Sequence, residues 1–443
     1  MNSIAIASWL QNSPLVSSNY RHLWLGQAVS TFGDRFTSIA LPILVYELTG
    51  SSWQLGLAFM LQVLAALMFG LWAGALSDRW DRRRTMIGAD LTRVGLVLLI
   101  PLVLGMSSAE NTKLIIVYIL SFLIAAASQF FQPAKISLIP QTVPKEQLVA
   151  ANALDQGATR FTEFLGYTLA GLLIAWTGTA TAFYIDAGTF LLSAAFISQI
   201  RLTTTTESDV VSEQPSIIDS IREGMQHAWK TPLMRSVLIL GLIVPMAFGG
   251  LQPLLLLFSE QVLGSGTMGF GLVNGAMALG SAFGFLAAGY WIGDHFRGYL
   301  LSIGVLFLGI FQVLGVLIPA YLGSQFGGRG IELFGDIFKV VVLLLTALPF
   351  FVLTTVANSA IILGIRTIVQ ESTPNHMIGR VFSMVGVTSS IAIALGASTT
   401  GAADIFGVIP VMIFWCVFLI VVGIVAVLHP ALRPVPMMPV TAD

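Results

Sequence analysis

Charged side chains that fall inside apolar runs carry the chemistry of this sequence. Asp34 and Arg35 sit near the middle of an apolar run at about 23–48, and Arg160 and Glu163 sit in another at about 152–176. Holding a charge at mid-bilayer costs roughly 2.5–3.5 kcal/mol, so each needs a partner or a task. A carboxylate in a partly dry cavity can take up and release a proton as its surroundings change. Asp34 and Glu163 are therefore the proton-coupling candidates, with Arg35 and Arg160 as the cations beside them. The plainer account is a static pair, Asp34 with Arg160 or Glu163 with Arg35, that ties two helices together. Both accounts stay open at this point. Asp186 lies nearer the outer end of a later run and fits a helix-boundary residue better.

A second group of charges is packed into one short link. Gly74–Arg84 reads GALSDRWDRRR and joins apolar runs at about 54–76 and 85–105. Each run is long enough to cross a bilayer, which takes about 20 apolar residues. Only 10% of the chain is charged, yet Asp78, Arg79, Asp81, Arg82, Arg83 and Arg84 crowd into this link. Such cationic loops stay on the cytoplasmic side. Uncharged polar residues inside the runs are Gln27, Gln129, Gln132, Asn274, Gln312 and Asn358. Most suit helix–helix hydrogen bonds, and a few are expected to line a cavity.

The elements that must hold these residues follow from composition. Of 443 residues, 56% are hydrophobic, more than a water-soluble domain can hide, so lipid is the solvent for much of the chain. A net charge of -1 argues against nucleic acid as a partner. The single cysteine, Cys416, excludes an internal disulfide framework and a cysteine-built zinc site. The histidines (His22, His227, His295, His376 and His429) form no metal-spaced cluster. There is no phosphate-binding glycine loop and no catalytic Ser/His/Asp arrangement, so neither an ATP-driven pump nor an enzyme is expected, and no cofactor. The N-terminus does not read as a removable signal peptide.

Apolar runs at about 23–48, 54–76, 85–105, 112–134, 152–176, 180–200, 234–258, 269–292, 299–322, 338–364, 380–402 and 407–428 predict an all-α membrane protein with twelve transmembrane helices. The polar stretch TTTTESDVVSEQ and the amphipathic SIIDSIREGMQHAWK divide it into a six-helix bundle at 1–200, a cytoplasmic linker at 201–232 and a second bundle at 233–443. Lysine and arginine test the orientation. With both termini inside, the outer links hold only Lys113, Arg329 and Lys339, and the inner links hold most of the others. The halves also echo each other. PAKISLIPQTVPKEQLVAAN and GIRTIVQESTPNHMIGRVFS align at Pro144 and Pro374, and GYWIGDHFRG is a weaker counterpart of the arginine-rich link.

The Gly74–Arg84 link resembles the loop between helices 2 and 3 of the major facilitator superfamily, G-x-L-x-D-R-x-G-R-R. Gly74, Leu76, Asp78, Arg79, Arg82 and Arg83 match, while Asp81 stands where many members have Gly. NYRHLWLGQAVSTFGDRF and the following ALPILVYELTGSSWQLG are similar to the branch that holds bacterial enterobactin exporters and macrolide-efflux proteins. Arg21, Leu23, Trp24, Gly26, Gln27, Ser30, Gly33, Asp34, Leu41, Pro42, Leu48, Thr49 and Gly50 carry that likeness. GYTLAGLL at Gly166–Leu173 resembles the Gly-Pro-x-x-Gly region of antiporters, with Tyr167 in place of Pro.

The resemblance implies two pseudo-symmetric bundles around a central cavity, rocking to expose it to alternate sides. It implies that Asp78 meets the start of span 11 near Gly379 and Arg380, a latch closed only when the cytoplasmic side is shut. Asp90 and Asp155 are expected to receive the loop arginines. The expected function is proton-coupled efflux of a small amphiphilic molecule, a drug or a secreted metabolite such as a siderophore. A lipid or lysolipid flippase of the same fold and a non-transporting membrane sensor are the alternatives. The expected setting is the inner membrane of a bacterium, as a monomer among lipids.

Overall fold

Backbone polar groups in hydrocarbon must be satisfied within their own segment, which leaves helices as the spanning form. A computed structural model describes residues 13–77, 80–107, 109–201, 229, 232–291, 297–326, 335–373 and 378–432, and every regular element among them is helical. The first long helices are α1 (Ser18–Thr49), α2 (Ser52–Ser77), α3 (Arg82–Leu104), α4 (Glu110–Leu138), α5 (Leu148–Thr177) and α6 (Thr179–Ser198). They are followed by α7 (Pro232–Leu251), α8 (Gly266–Trp291), α9 (Arg297–Phe326), α10 (Gly335–Ser372), α11 (Ile378–Ala397) and α12 (Val408–Leu428). Most of the expected amphipathic helix of the linker lies outside the described residues.

Ten helices among the described residues are long and apolar enough to cross a membrane. The long helices outside that set are α1 and α5. Their length is ample, at 32 and 30 residues, so composition sets them apart. They carry Asp34, Arg35, Arg160 and Glu163.

Helix ends follow local chemistry. Asp81 caps α3 by accepting a 2.8 Å hydrogen bond from the Arg84 N–H. Gly178, at φ 81° and ψ 170°, joins α5 to α6 with one residue, and Gly407, at φ 85° and ψ 161°, stands directly ahead of α12, after a short helical turn at Ala403–Phe406. Only glycine adopts that backbone without strain. The two turns share one conformation, a further echo between the halves of the sequence.

The chain forms two compact units. One comprises Met1–Gly50, Leu57–Asp209 and Phe270–Gly275, and the other Ser51–Gly56, Val210–Gly269 and Ala276–Asp443. In the first, α1 packs on α5 and α6, and α3 on α4 and α6. In the second, α7 packs on α11 and α12, and α9 on α10 and α12. One end of the first unit closes on a core that includes Tyr20, Leu23, Met86, Phe131, Leu138, Ala151 and Ile197. There the Tyr20 hydroxyl donates to the Ala151 carbonyl at 2.6 Å, and Trp24 Nε1 to that of Leu154 at 3.2 Å. These bonds fix α1 against α5 beside the site.

Candidate functional site

The site is built around a residue of α3. Arg93 lies in an apolar run, and its side chain is 3% exposed. Its guanidinium carbon is 4.0 Å from the Phe190 ring centroid on α6 and 5.0 Å from that of Phe131 on α4. Aromatic faces attract a cation, so this slot suits a flat guanidinium. One turn earlier, Asp90 accepts a hydrogen bond from Arg93 Nη2. On α1, Asp34 Oδ1 lies 3.4 Å from Arg93 Nη1. Arg93 thus holds two carboxylates, one fully buried and the other, Asp34, with 34% of its side chain exposed.

The exposed edge of Asp34 faces a cavity of about 290 Å³ within the first unit. Gln27, Gln62, Gln129 and Gln132 line it, along with Ser30, Ser38, Ser121, Ser128 and Thr37. Arg35, Arg93 and Asp186 complete its charged wall. Asp186 is buried. Its Oδ2 accepts a 2.5 Å hydrogen bond from Thr37, and its Oδ1 has no partner among the described residues. Gly33 makes this approach of α1 to α6 possible: a Cβ there would fall 1.8 Å from Thr189 Oγ1 and 2.8 Å from Asp186 Oδ1.

A second cluster joins α1 to α5. Arg35 Nη1 donates to the Tyr167 hydroxyl at 2.8 Å, and its Nη2 lies 4.0 Å from Glu163 Oε1. Glu163 Oε2 accepts from Arg160 Nη1 at 2.8 Å. Gly166 lets Arg35 lie across α5, since a Cβ there would come within 2.8 Å of the Arg35 Cβ. Tyr167 therefore serves as a hydrogen-bond acceptor for Arg35.

Several sequence expectations change here. Asp34 pairs with Arg93 of α3 rather than Arg160, which is taken by Glu163 one turn along α5. The Glu163–Arg35 contact is formed, and Glu163 is not among the cavity-lining residues. Gln27, Gln129 and Gln132 all line the cavity. Asn274 donates to the Phe270 carbonyl of its own helix at 2.8 Å. Asn358 lines a smaller space of about 50 Å³ in the second unit, beside Gln312 and Thr354.

The acids expected to receive the loop arginines have other partners: Asp90 is held by Arg93, and Asp155 by Lys135 Nζ at 3.0 Å. Arg83 instead donates to the carbonyls of Ile197 and Ser198 at the end of α6. Asp186 is no boundary residue but a buried member of the site. Gly74 falls near the end of α2, and Arg82 and Arg83 open α3. Asp78 and Arg79 lie outside the described residues, and so does the Arg380 side chain beside Gly379 in the first turn of α11. The expected latch thus has no described geometry.

Sequence reasoning does not assign roles to Arg93, Thr37 and Gln62, and it reads Asp186 as a boundary residue. The available signal was Asp90 and Arg93 three residues apart in an apolar run, a spacing that places both on one helix face. The ion pairs named above all lie in the first unit. Among the described residues, no group of three or more His, Cys, Asp or Glu is placed to hold a metal ion.

Comparison with known proteins agrees with this architecture. Macrolide efflux protein A of Streptococcus pyogenes is 25% identical over 377 residues, covering 84% of this chain and 86% of that protein. Enterobactin exporter EntS of Shigella boydii is 25% identical over 405 residues, covering 89% and 88%. A solved bacterial homologue of the iron transporter ferroportin superposes with a TM-score of 0.70 at 14% identity, covering 93% of this chain and 98% of that one. The sequence profile of the Major Facilitator Superfamily matches residues 23–397, and with a helical fold of many membrane-crossing segments the chain belongs to that superfamily of transporters.

Proposed function

We propose that this chain is a proton-coupled exporter of amphiphilic small molecules. Two six-helix halves would work by alternating access in the inner membrane of a bacterium, with both termini cytoplasmic and one copy sufficient. The observation that carries the proposal is Asp34, a carboxylate about one-third exposed at a cavity wall, bonded to a buried cation. Ionised Asp34 holds Arg93 Nη1. A proton arriving from the cavity removes that charge and releases one of the two bonds on Arg93. Asp90 keeps the other. The arginine then presents a donor to the cavity only while Asp34 is protonated, which couples proton occupancy to what the cavity binds.

The lining narrows the substrate. Amides and hydroxyls surround a space of about 290 Å³, near the lower limit of drug-sized sites. This suits the polar end of an amphiphile. The named cargoes of similar proteins, a macrolide and enterobactin, are in keeping with that class. The repeated helix neighbours and the matched turns at Gly178 and Gly407 support the twofold six-helix plan.

The test is efflux of a fluorescent amphiphile from proteoliposomes with and without an imposed proton gradient, for wild type and Asp34→Asn. Gradient-driven efflux in the wild type, lost in the variant, is the expected result. Efflux indifferent to both changes would exclude coupling at Asp34 and favour lipid flipping or facilitated movement.

A further inference from the structure

A larger cavity, of about 850 Å³, lies between α3 and α4 and extends to Phe69 of α2, away from the charged site. Trp80, Asp81 and Arg84 stand at one end, and Leu96, Leu123 and Ala126 lie deeper. We infer that this groove binds an anionic phospholipid, with its phosphate at Arg84 and an acyl chain along α3.

Three observations carry this. The first is charge. Arg84 is exposed, and its guanidinium has no partner among the described residues, whereas Arg83 is committed to the end of α6. Asp81 Oδ1 is engaged by the Arg84 N–H as the cap of α3, and no ion pair between its carboxylate and the Arg84 guanidinium is seen among the described residues. The second is shape. Gly88 has nothing within 4 Å of the place where a Cβ would stand, so the groove floor is open beside it. Arg84 to Leu96 spans twelve residues of α3, or roughly 18 Å at 1.5 Å per residue. That matches the hydrocarbon of one leaflet, half of a core about 30 Å thick.

The third observation is the rim. Trp80 is 51% exposed and stacks on Phe130 with ring centroids 6.3 Å apart. An exposed tryptophan beside an arginine marks the headgroup level of a bilayer. With the arginine-rich link on the cytoplasmic side, the lipid belongs to the inner leaflet, where anionic headgroups favour juxtamembrane cations.

Trp80 also reports occupancy. Wild type, Arg84→Gln and Gly88→Leu would be reconstituted in phosphatidylcholine vesicles with rising amounts of brominated phosphatidylglycerol or brominated phosphatidylcholine. The same proteins carrying Trp80→Phe define the background to subtract. In the wild type, the glycerol lipid should half-quench the Trp80 signal at about one-fifth the mole fraction of the choline lipid, the preference expected from one basic side chain near the surface. Arg84→Gln should erase that preference, and Gly88→Leu should weaken quenching by both lipids. Equal quenching by the two lipids in the wild type would overturn the proposal. So would a preference that survives in Arg84→Gln, or undiminished quenching in Gly88→Leu. If Arg84→Gln fails to fold, Gly88→Leu still decides, because its side chain enters open space.

Discussion

A single guanidinium holds Asp34 and Asp90 in place in the first unit. Arg93 is sandwiched by Phe131 and Phe190 and bonded to Asp90 and Asp34, so its removal strands carboxylates in a nearly dry place. Breaking such a buried set by deleting one partner costs about 3–5 kcal/mol. Arg93→Gln should therefore lower the thermal unfolding midpoint in detergent well below that of Asp34→Asn, whose side chain keeps access to the cavity. A larger loss for Asp34→Asn would mean that Asp34, not Arg93, anchors the cluster. The sequence showed the cost of these charges but not their pairing. Asp34 meets Arg93 across 59 positions, and Thr37 meets Asp186 across 149. Partners so distant are chosen by helix packing, which local pattern does not encode. Asp186 was therefore read as a boundary residue although it is buried among α1 and α6.

At the scale of elements, apolar run length located the helices because hydrocarbon leaves the backbone no other choice. Glycine chemistry explains their close approach. Gly33 and Gly166 bring α1 against α6 and α5, and Gly396 brings α11 against the Met246 carbonyl on α7. One capping contact was not legible. Asp404 Oδ1 accepts from the Ser52 N–H at 2.8 Å, and its Oδ2 from Ser51 Oγ at 2.9 Å and from the Trp53 N–H at 3.3 Å. These groups belong to the second unit, where a carboxylate satisfies the unpaired amides that begin α2. Its distance of 352 positions from Ser52 hid it from any local capping pattern. Asp404→Ala should speed amide hydrogen exchange at Ser52 and Trp53 while leaving the middle of α2 protected. Unchanged exchange at both amides would show that water replaces the carboxylate without loss.

At the scale of the whole molecule, orientation sets the meaning of every site. The arginine-rich link and the basic ends of the helices predict a cytoplasmic face, because positive loops resist translocation. That one assignment places the Arg84 groove in the inner leaflet and makes movement toward the opposite face export. The chain offers a clean test. Its single cysteine, Cys416, is buried in α12, so wild type should give little thiol labelling. Thr112, at the start of α4, and Glu146, ahead of α5, are both exposed at opposite ends of the first unit's helices. In intact cells, a membrane-impermeant maleimide should label Thr112→Cys and spare Glu146→Cys, which should react only after the membrane is opened. The reverse pattern would turn the molecule over. The arginines would then face outward, and the direction proposed for transport would have to be exchanged with it.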